Sequence, residues 1–260
     1  MLLPRIIPCL LIHRGGLVKT VKFQEPKYIG DPLNTVRIFN EKAVDELLVV
    51  DIDASRFGVE PNYSLIKAVA AECRMPLCYA GGVNSVAVVE KITSLGVEKV
   101  GISSGFINDS DLVAESACRV GSQSIVVIID AQNTGKKKKK YEVFIRNGTE
   151  NTKQCPFALA ERAQASGAGE IVINSIECDG MMGGYDMDLI KGVRDAVCTP
   201  ITALGGAGSY EDFRALVDHF GIIGAGAGSL FVFKGKYKAV LIQYPDWIAK
   251  KNIFYGGLVG

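Results

Sequence analysis

Short sequence motifs in the first half of the chain recur in the second half at a fixed offset in residue number. This repetition restricts the possible folds more than any other feature. The tripeptide Leu65–Lys67 recurs as Leu189–Lys191, and the pair Gly81-Gly82 recurs as Gly205-Gly206, each 124 residues further along (81 to 205). Regular self-similarity indicates that one structural unit has been used twice. We therefore expect two homologous halves within one domain.

The alternation of apolar runs and helical patterns predicts eight βα units. Apolar runs typical of buried parallel strands lie near residues 5–12, 46–53, 76–80, 98–103, 124–130, 169–175, 200–204 and 221–226. Helical patterns lie near 31–44, 60–73, 85–95, 109–119, 155–166, 186–196, 209–219 and 234–247. Eight such units predict an α/β fold, the (β/α)8 TIM barrel. A doubly wound sheet is the alternative, but near-equal halves favour the closed barrel. We predict a single barrel domain over 1–260, with half-barrels of approximately 1–122 and 123–250.

Composition excludes several classes of function. A net charge of +1 in 260 residues gives no general attraction to nucleic acid or anionic lipid, and no apolar stretch reaches the ~20 residues that span a bilayer. Seven cysteines without a CxxC pair predict free thiols and a cytoplasmic location. With only two histidines, far apart in sequence, we expect no metal site. No cofactor is predicted.

An aspartate at the end of the fifth predicted strand is the first candidate for chemistry. The apolar run Ser124–Ile129 ends in Asp130, whereas the equivalent run in the first half, Arg5–Leu10, ends in Leu11. Catalytic side chains of such barrels come from the C-terminal ends of strands. We predict Asp130 as a lone catalytic carboxylate, with turn capping as the alternative. Other polar side chains expected at this rim are Asp51, Asp53, Asn174, Ser175 and Glu177.

Glycine-rich turns at equivalent places in the two halves predict two anion pockets. Turns without side chains let backbone N–H groups approach a phosphate, and a helix N-terminus adds positive potential. We predict phosphate or sugar-phosphate binding, with simple tight turns as the alternative. The candidates are Gly81, Gly82, Ser103 and Ser104 in the first half and Gly205, Gly206, Gly228 and Ser229 in the second.

Basic residues lie near the same predicted rim. Lys19 is predicted to contact a phosphate, since the preceding Gly15-Gly16 would make its loop mobile. The run Lys136–Lys140 is typical of a solvated loop, with an anion-attracting flap as the alternative. The segment Tyr141–Ile145 is then predicted as a return strand in a hairpin over the site. We expect His13 at the surface rather than in acid–base chemistry.

Several longer motifs together resemble the cyclase (HisF-like) subunit of imidazole glycerol phosphate synthase. They are Arg5–Leu10, Gly30–Pro32, Gly121–Val127, Gly167–Glu170, Asp179-Gly180 with Gly184–Asp186, and Gly205–Ser209. The resemblance covers nearly the whole chain and implies a doubled barrel of the ribulose-phosphate-binding type. It also implies a HisH-like glutaminase partner on the N-terminal face of the barrel, supplying ammonia through the barrel interior.

The resemblance assigns further residues. The family's ammonia gate is a ring of four charges, and the matching positions carry Arg5, Glu46, Lys99 and Glu170; a purely structural plug is the alternative. Asp179 and Gly180 match phosphate-binding positions. Asp130 matches one of two catalytic aspartates, but Leu11 stands in place of the other. Leu204 replaces a polar residue that usually precedes the second glycine pair.

The Leu11 change and the closing segment Gly228–Lys238 resemble a variant branch of the family associated with surface-polysaccharide synthesis. That resemblance implies conversion of a sugar's acetamido group into an acetamidino group with glutamine-derived ammonia. We therefore predict an ammonia-dependent lyase or amidotransferase synthase subunit that acts on a phosphorylated or nucleotide-linked sugar. The alternatives are the histidine-pathway cyclase and a non-catalytic barrel that activates the glutaminase.

Overall fold

Eight parallel strands close into a barrel in the computed structural model, which describes residues 4–255. The strands are β1 Arg5–His13, β2 Leu47–Asp51, β3 Leu77–Ala80, β4 Lys99–Ile102, β5 Ile125–Asn133, β6 Glu170–Ser175, β7 Ile201–Leu204 and β8 Gly224–Ala227. Each pairs in parallel with its neighbours, and β8 pairs with β1 to close the ring. The (β/α)8 barrel predicted from the sequence is confirmed, and each predicted half contributes four strands.

Eight main helices surround the strands. They are α1 Pro32–Glu41, α2 Tyr63–Glu72, α3 Val86–Ser94, α4 Leu112–Val120, α5 Pro156–Ala165, α6 Met187–Ala196, α7 Tyr210–Phe220 and α8 Trp247–Tyr255. Side-chain caps fix where several of them begin: Asp31 accepts from Asn34 N at 2.9 Å, and Asp212 accepts from Ser209 N at 2.9 Å. Within residues 4–255, none of the helices has the length and apolar character needed to cross a bilayer.

The prediction of a last helix near 234–247 is wrong. That segment instead forms a short hairpin of Phe233–Lys234 with Ala239–Val240, and α8 begins only at Trp247. Gly235 adopts a left-handed conformation in the hairpin turn, with φ +72°. Pro245 disfavours helical geometry at the residue before it.

Two excursions from the barrel cover its C-terminal end. After β1 the chain returns along Gly16–Val21 and Gln24–Gly30 in antiparallel pairing. After β5 it returns along Tyr141–Ile145, the predicted return strand, which pairs with Asp130–Asn133. The aromatic ring of Phe23, in the first excursion, lies against Gly148 in the second. The two excursions therefore meet above the strand ends.

The barrel interior and the layer between strands and helices are separate apolar clusters. The outer layer is large and includes the fully buried rings of Phe39, Phe106, Phe213 and Phe231. The inner cluster is small and contains Ile7, Cys9, Leu48, Cys78, Ala80, Val126, Ile128 and Val172. Because alternate strand residues point inward, these side chains fill the barrel axis between its two ends.

Candidate functional site

A cavity of about 420 Å³ opens at the C-terminal end of the barrel. Its walls contain every residue that the sequence predicted for catalysis or phosphate binding: Lys19, Gly81, Gly82, Ser103, Ser104, Asp130, Asp179, Gly180, Gly205, Gly206, Gly228 and Ser229. These residues come from both halves of the chain. The fold therefore places them around one space large enough for a small organic molecule.

Asp130 lies at the floor of this cavity, near the end of β5. Its Oδ1 accepts a hydrogen bond from Asn174 Nδ2 on the neighbouring strand β6, at 2.9 Å. Burial disfavours the charged form and raises the pKa of Asp130 to about 6, although the Asn174 hydrogen bond opposes this rise. An acid with this pKa exchanges a proton readily near neutral pH, as a general base requires.

The wall opposite Asp130 is apolar. Leu11 lines the cavity from β1, together with Val50 from β2 and Leu204 from β7. All three pack on the inner apolar cluster. Asp130 is therefore the only carboxylate contributed to the cavity wall by the barrel strands in residues 4–255.

All four glycines of the two pairs have positive φ. Gly81 and Gly82 have φ of +120° and +70°, and Gly205 and Gly206 have φ of +89° and +115°. A Cβ on Gly206 would overlap the carbonyl oxygen of Gly184. Two short helices, Ser104–Asn108 and Ser229–Val232, follow the next strands, β4 and β8. Each half thus presents a glycine pair and a helix start side by side.

Lys19 lies in an ordered strand and not in a mobile glycine-rich loop, so that part of the prediction was wrong. It is buried on the strand Gly16–Val21, because antiparallel pairing with β1 brings its side chain inward. Its Nζ donates to the carbonyl oxygen of Cys9 and lies beside Gly228. Burial lowers the pKa of Lys19, against the favourable charge of Asp179. The Lys19 ammonium group therefore lies beside Gly228, in the glycine site of the second half of the chain.

Asp179 and Gly180 lie between this strand and the cavity. The Asp179 carboxylate accepts from Thr20 Oγ1 at 3.0 Å, and its pKa is raised by burial. A Cβ on Gly180 would overlap the carbonyl oxygen of Thr20. The contacts of Asp179 and Gly180 therefore hold the first excursion in place. A phosphate contact at these two residues remains a prediction.

His13 and Asp53 form a pair away from the cavity wall. His13 Nδ1 lies 2.7 Å from Asp53 Oδ1, and Arg14 N donates to Asp53 Oδ2 at 2.6 Å. Neither side chain is among those lining the cavity. Asp51 instead begins a short helix, Ile52–Phe57, by accepting from Ala54 N at 2.9 Å.

Four charges meet at the opposite, N-terminal end of the barrel. Lys99 Nζ lies 2.8 Å from both Glu46 Oε1 and Glu170 Oε2, and Arg5 binds the same two carboxylates. The alternating ring is closed around the barrel axis. Burial alone would raise the pKa of Glu170, but the charges of Arg5 and Lys99 outweigh it and hold the pKa below its usual value.

The space between the ring and the cavity is lined mainly by small or apolar side chains. A void of about 10 Å³, close to the size of one water molecule, lies at the ring. Glu46, Glu170 and Thr202 line its ring side, and the rest of its wall is apolar: Ile7, Leu48, Cys78, Val126 and Val172. Gly101, Ala80 and Ile128 line the cavity above them. The barrel axis is therefore narrow and weakly polar.

Among the cavity residues that the sequence analysis did not assign to the site are Asn174, Arg146 and Asn147. Asn174 was expected at the rim, but its contact with Asp130 depends on the parallel register that pairs β5 with β6. Arg146 and Asn147 reach the cavity from the turn of the second excursion. Only the predicted hairpin at Tyr141–Ile145 could have pointed to them. No cluster of three or more potential metal ligands exists in the described range 4–255.

The barrel fold agrees with the family that comparison with known proteins gives. Residues 5–238 match the family model described as "Histidine biosynthesis protein". The chain belongs to this family. It is 52% identical over 255 residues to the "Putative imidazole glycerol phosphate synthase subunit HisF" of Leptospira interrogans, covering 98% of this chain and 100% of that protein.

Two further relatives carry the same kind of name. A Vibrio vulnificus protein named "Putative imidazole glycerol phosphate synthase subunit hisF3" is 51% identical, covering 97% of this chain and 96% of its own. A Pseudomonas aeruginosa protein with the suffix hisF2 is 50% identical, covering 93% of this chain and 96% of its own. The predicted resemblance to HisF-type subunits is confirmed.

Proposed function

We propose that this HisF-like chain accepts ammonia from a glutaminase partner and transfers the nitrogen to a phosphorylated or nucleotide-linked sugar. Our best assignment is conversion of an acetamido to an acetamidino group in surface-polysaccharide synthesis. The observation that carries the proposal is the combination of a closed charged ring at one end of the axis with a cavity at the other to which the described barrel strands contribute a single carboxylate, Asp130.

The ammonia route follows from the axis. Neutral ammonia is small enough to pass side chains that exclude a sugar, and a weakly polar passage favours it over ammonium, because burying an unpaired charge is costly. Arg5, Glu46, Lys99 and Glu170 seal the entrance by mutual pairing. A partner that disturbs this pairing would open the entrance.

Asp130 is the carboxylate that the barrel strands bring to the cavity, and it carries the proposed chemistry. Ammonia attacks the carbonyl carbon of the amide, a carbon–nitrogen bond forms, and the bond from carbon to the amide oxygen breaks. The oxygen leaves as water, or as part of an activating group attached by another protein. Asp130 accepts a proton from the attacking nitrogen, a role that its raised pKa of about 6 allows. The apolar side chain of Leu11 provides no partner acid.

The glycine pairs support phosphate recognition. Gly82 and Gly206 lie at equivalent points of the two halves, where backbone N–H groups and short helix starts can face an anion. Lys19 contributes a buried cation beside Gly228. Arg146 adds a second cation at the first-half side of the cavity. These groups fit a sugar carrying one or more phosphates.

The glutaminase surface is proposed at the N-terminal face. Trp247 and Ile248 expose 70% and 65% of their surface, and Ile222, just before β8, exposes 51%. α8 is held at this face by Lys250, which lies 2.6 Å from Asp45 Oδ1 beside the start of β2. Exposed apolar groups such as Ile222, two residues before the partner of Arg5 on β8, are typical of a protein interface.

The test uses the full chain with the HisH-like glutaminase of the same organism. A nucleotide-linked N-acetylated sugar, isotopically labelled glutamine and ATP are supplied, with and without extract from the same cells. We expect label in an acetamidino product, detected by mass spectrometry, and loss of that product with Asp130→Asn. Product that survives Asp130→Asn would instead identify a non-catalytic barrel that activates the glutaminase.

The histidine-pathway cyclase is the second candidate, because the relatives are named as imidazole glycerol phosphate synthase subunits. That reaction would have to proceed with Leu11 in place of the second carboxylate. Loss of one acid–base group costs roughly 10²–10⁴-fold in rate.

A further inference from the structure

The cavity wall includes an aromatic side chain that is open to solvent. Phe57 ends the short helix Ile52–Phe57 and lines the cavity, with 64% of its surface exposed. Val59, in the turn that follows, also lines the cavity and is 53% exposed. The other aromatic residue of the described cavity wall, Phe23, has its ring against Gly148. Phe57 and Val59 therefore form an apolar surface that a ligand in the cavity can cover, the Phe57 surface.

The Phe57 surface lies beside the first glycine pair. A Cβ on Gly82 would meet Val59 O at 2.9 Å and the Cβ of Ala54 at 3.0 Å. Ala54 belongs to the same short helix as Phe57. Gly82 therefore packs directly against the segment that carries the exposed ring. A ligand with a phosphate at Gly82 can place its neighbouring group on the Phe57 surface.

Cations reach the same side of the cavity. Arg146 lines the cavity, and its backbone N–H donates to Ser104 Oγ at 3.4 Å. Its Nε lies 3.3 Å from Glu150 Oε2 in an exposed pair, a contact that uses only one end of the guanidinium group. The guanidinium carbon of Arg56 lies 5.6 Å from the centre of the Phe57 ring. The first-half anion site consists of Gly82, Ser104 and Arg146.

The second half of the chain has no such surface on the cavity wall. At the repeat offset, Met181 stands in the place of Phe57. Met181 is 52% exposed, but it is not among the residues that line the cavity in the described range 4–255. The glycine site of the second half instead has the buried ammonium group of Lys19 beside Gly228. The two halves therefore offer different sites, one with a buried cation and one with an exposed aromatic ring.

We propose that the Phe57 surface binds the base of a nucleoside diphosphate whose phosphates lie at the first-half anion site. A base stacks on an aromatic ring through its π-face, so this contact recognises a base without selecting which one. The attached sugar then extends into the cavity toward Asp130. The inference rests on the proposed function, because it selects a nucleotide-linked sugar over a sugar that carries phosphate alone as the substrate of the same cavity.

The experiment measures binding to the purified full chain by isothermal titration calorimetry. Uridine monophosphate and ribose 5-phosphate differ only in the base. We expect the nucleotide to bind about tenfold more tightly, the size of one stack between a base and an aromatic ring. Phe57→Ala should remove this preference, while ribose 5-phosphate, which lacks the base, binds as before. Phe57→Tyr keeps an aromatic ring and should retain the preference.

Met181→Ala is the matched control, because Met181 is an exposed apolar residue at the equivalent position of the other half. It should keep the full preference for the nucleotide. Arg146→Gln should weaken the binding of uridine diphosphate more than that of uridine monophosphate, because the second phosphate loses its cation. All of these side chains are exposed, so the melting temperatures of the variants should equal that of the original chain.

A base can come from a sugar-linked nucleotide or from a free nucleotide, and a second pair of probes separates these sources. The probes are uridine diphosphate N-acetylglucosamine and adenosine diphosphate. We expect the sugar-linked nucleotide to bind more tightly, because its sugar contacts the cavity wall beyond the phosphates. Equal or tighter binding of adenosine diphosphate would assign the base site to a free nucleotide and overturn the substrate assignment.

The remaining outcomes are distinct. Equal binding of uridine monophosphate and ribose 5-phosphate to the original chain would overturn the inference. A preference that survives Phe57→Ala, or that is lost in Phe57→Tyr or Met181→Ala, would overturn it as well. Labelled acetamidino product from a sugar phosphate, without any preference for nucleotides, would leave the proposed function intact and remove the base site. A nucleotide preference that depends on Phe57, without labelled product, would support the base site and count against the proposed function.

Discussion

At the residue scale, the site depends on what each buried polar group is paired with. Asp130 is held by one amide hydrogen bond and faces an apolar wall, so its ionisation is costly. Glu170 is just as deep but is surrounded by Arg5 and Lys99, and its ionised form is favoured. The surroundings therefore raise the pKa of a carboxylate at the C-terminal end of the barrel and lower the pKa of another at the N-terminal end.

Asp130→Asn should make the protein more stable above pH 6. The folded pKa of about 6 lies above the ordinary value of 3.8, so folding binds a proton and stability falls as pH rises between these values. Neutral asparagine removes this cost, by about 1–3 kcal/mol at pH 7.5. Urea unfolding at pH 5 and pH 7.5 measures the effect. Equal pH dependence in both proteins would contradict the assigned pKa.

Glu170→Gln should destabilise the charged ring. Arg5 and Lys99 would then share a single carboxylate, Glu46, and the unfolding free energy should fall by about 1–3 kcal/mol, because the partly solvated cations weaken the effect of a fully buried pair. Thermal and urea unfolding report the change. Glu161→Gln, on an exposed position of α5, is the matched control and should be nearly neutral. Equal losses in both variants would show that the ring contributes nothing specific.

At the element scale, the barrel strands, the helices before α8 and the return strand Tyr141–Ile145 were predictable, and the details of the longer connections were not. Apolar runs found all eight strands because a parallel strand is buried on both faces. The helix near 234–247 was wrong because its pattern hid a turn at Gly235 and a break at Pro245. Asn174 was placed at the rim, but its partnership with Asp130 requires the register of β5 and β6. The position of Arg146 at the cavity depends on the turn of the second excursion, which the sequence did not predict.

Gly206→Ala should disturb the second glycine pair far more than Gly183→Ala. Gly206 has φ +115° and its Cβ would overlap Gly184 O, whereas a Cβ on Gly183 meets nothing within 4 Å. We expect Gly206→Ala to lower the unfolding free energy by about 1–3 kcal/mol and to weaken binding of inorganic phosphate. Thermal shift with and without phosphate measures both. Intact phosphate binding in Gly206→Ala would argue that the glycines only form tight turns.

At the scale of the whole molecule, the barrel has two separate faces joined by a narrow axis. The N-terminal end carries the charged ring, and the C-terminal face carries the cavity. Trp247 begins α8, the helix that Lys250 ties to Asp45 and that we propose as part of the glutaminase surface. Trp247→Ala should therefore weaken the complex with the HisH-like glutaminase about tenfold or more, as loss of an interface aromatic does. Phe57→Ala removes a ring that is 64% exposed at the other face, and should leave this complex unchanged. Isothermal titration calorimetry compares the two, and the reverse ranking would place the partner elsewhere.

The most direct test of the whole account is an assay of the purified chain with ammonium salt and the phosphoribulosyl substrate of the histidine-pathway cyclase. With Leu11 in place of the second carboxylate, we expect imidazole glycerol phosphate to form at a rate reduced by roughly 10²-fold or more compared with a two-aspartate cyclase. Formation at a comparable rate would contradict the account and identify the chain as an ordinary cyclase.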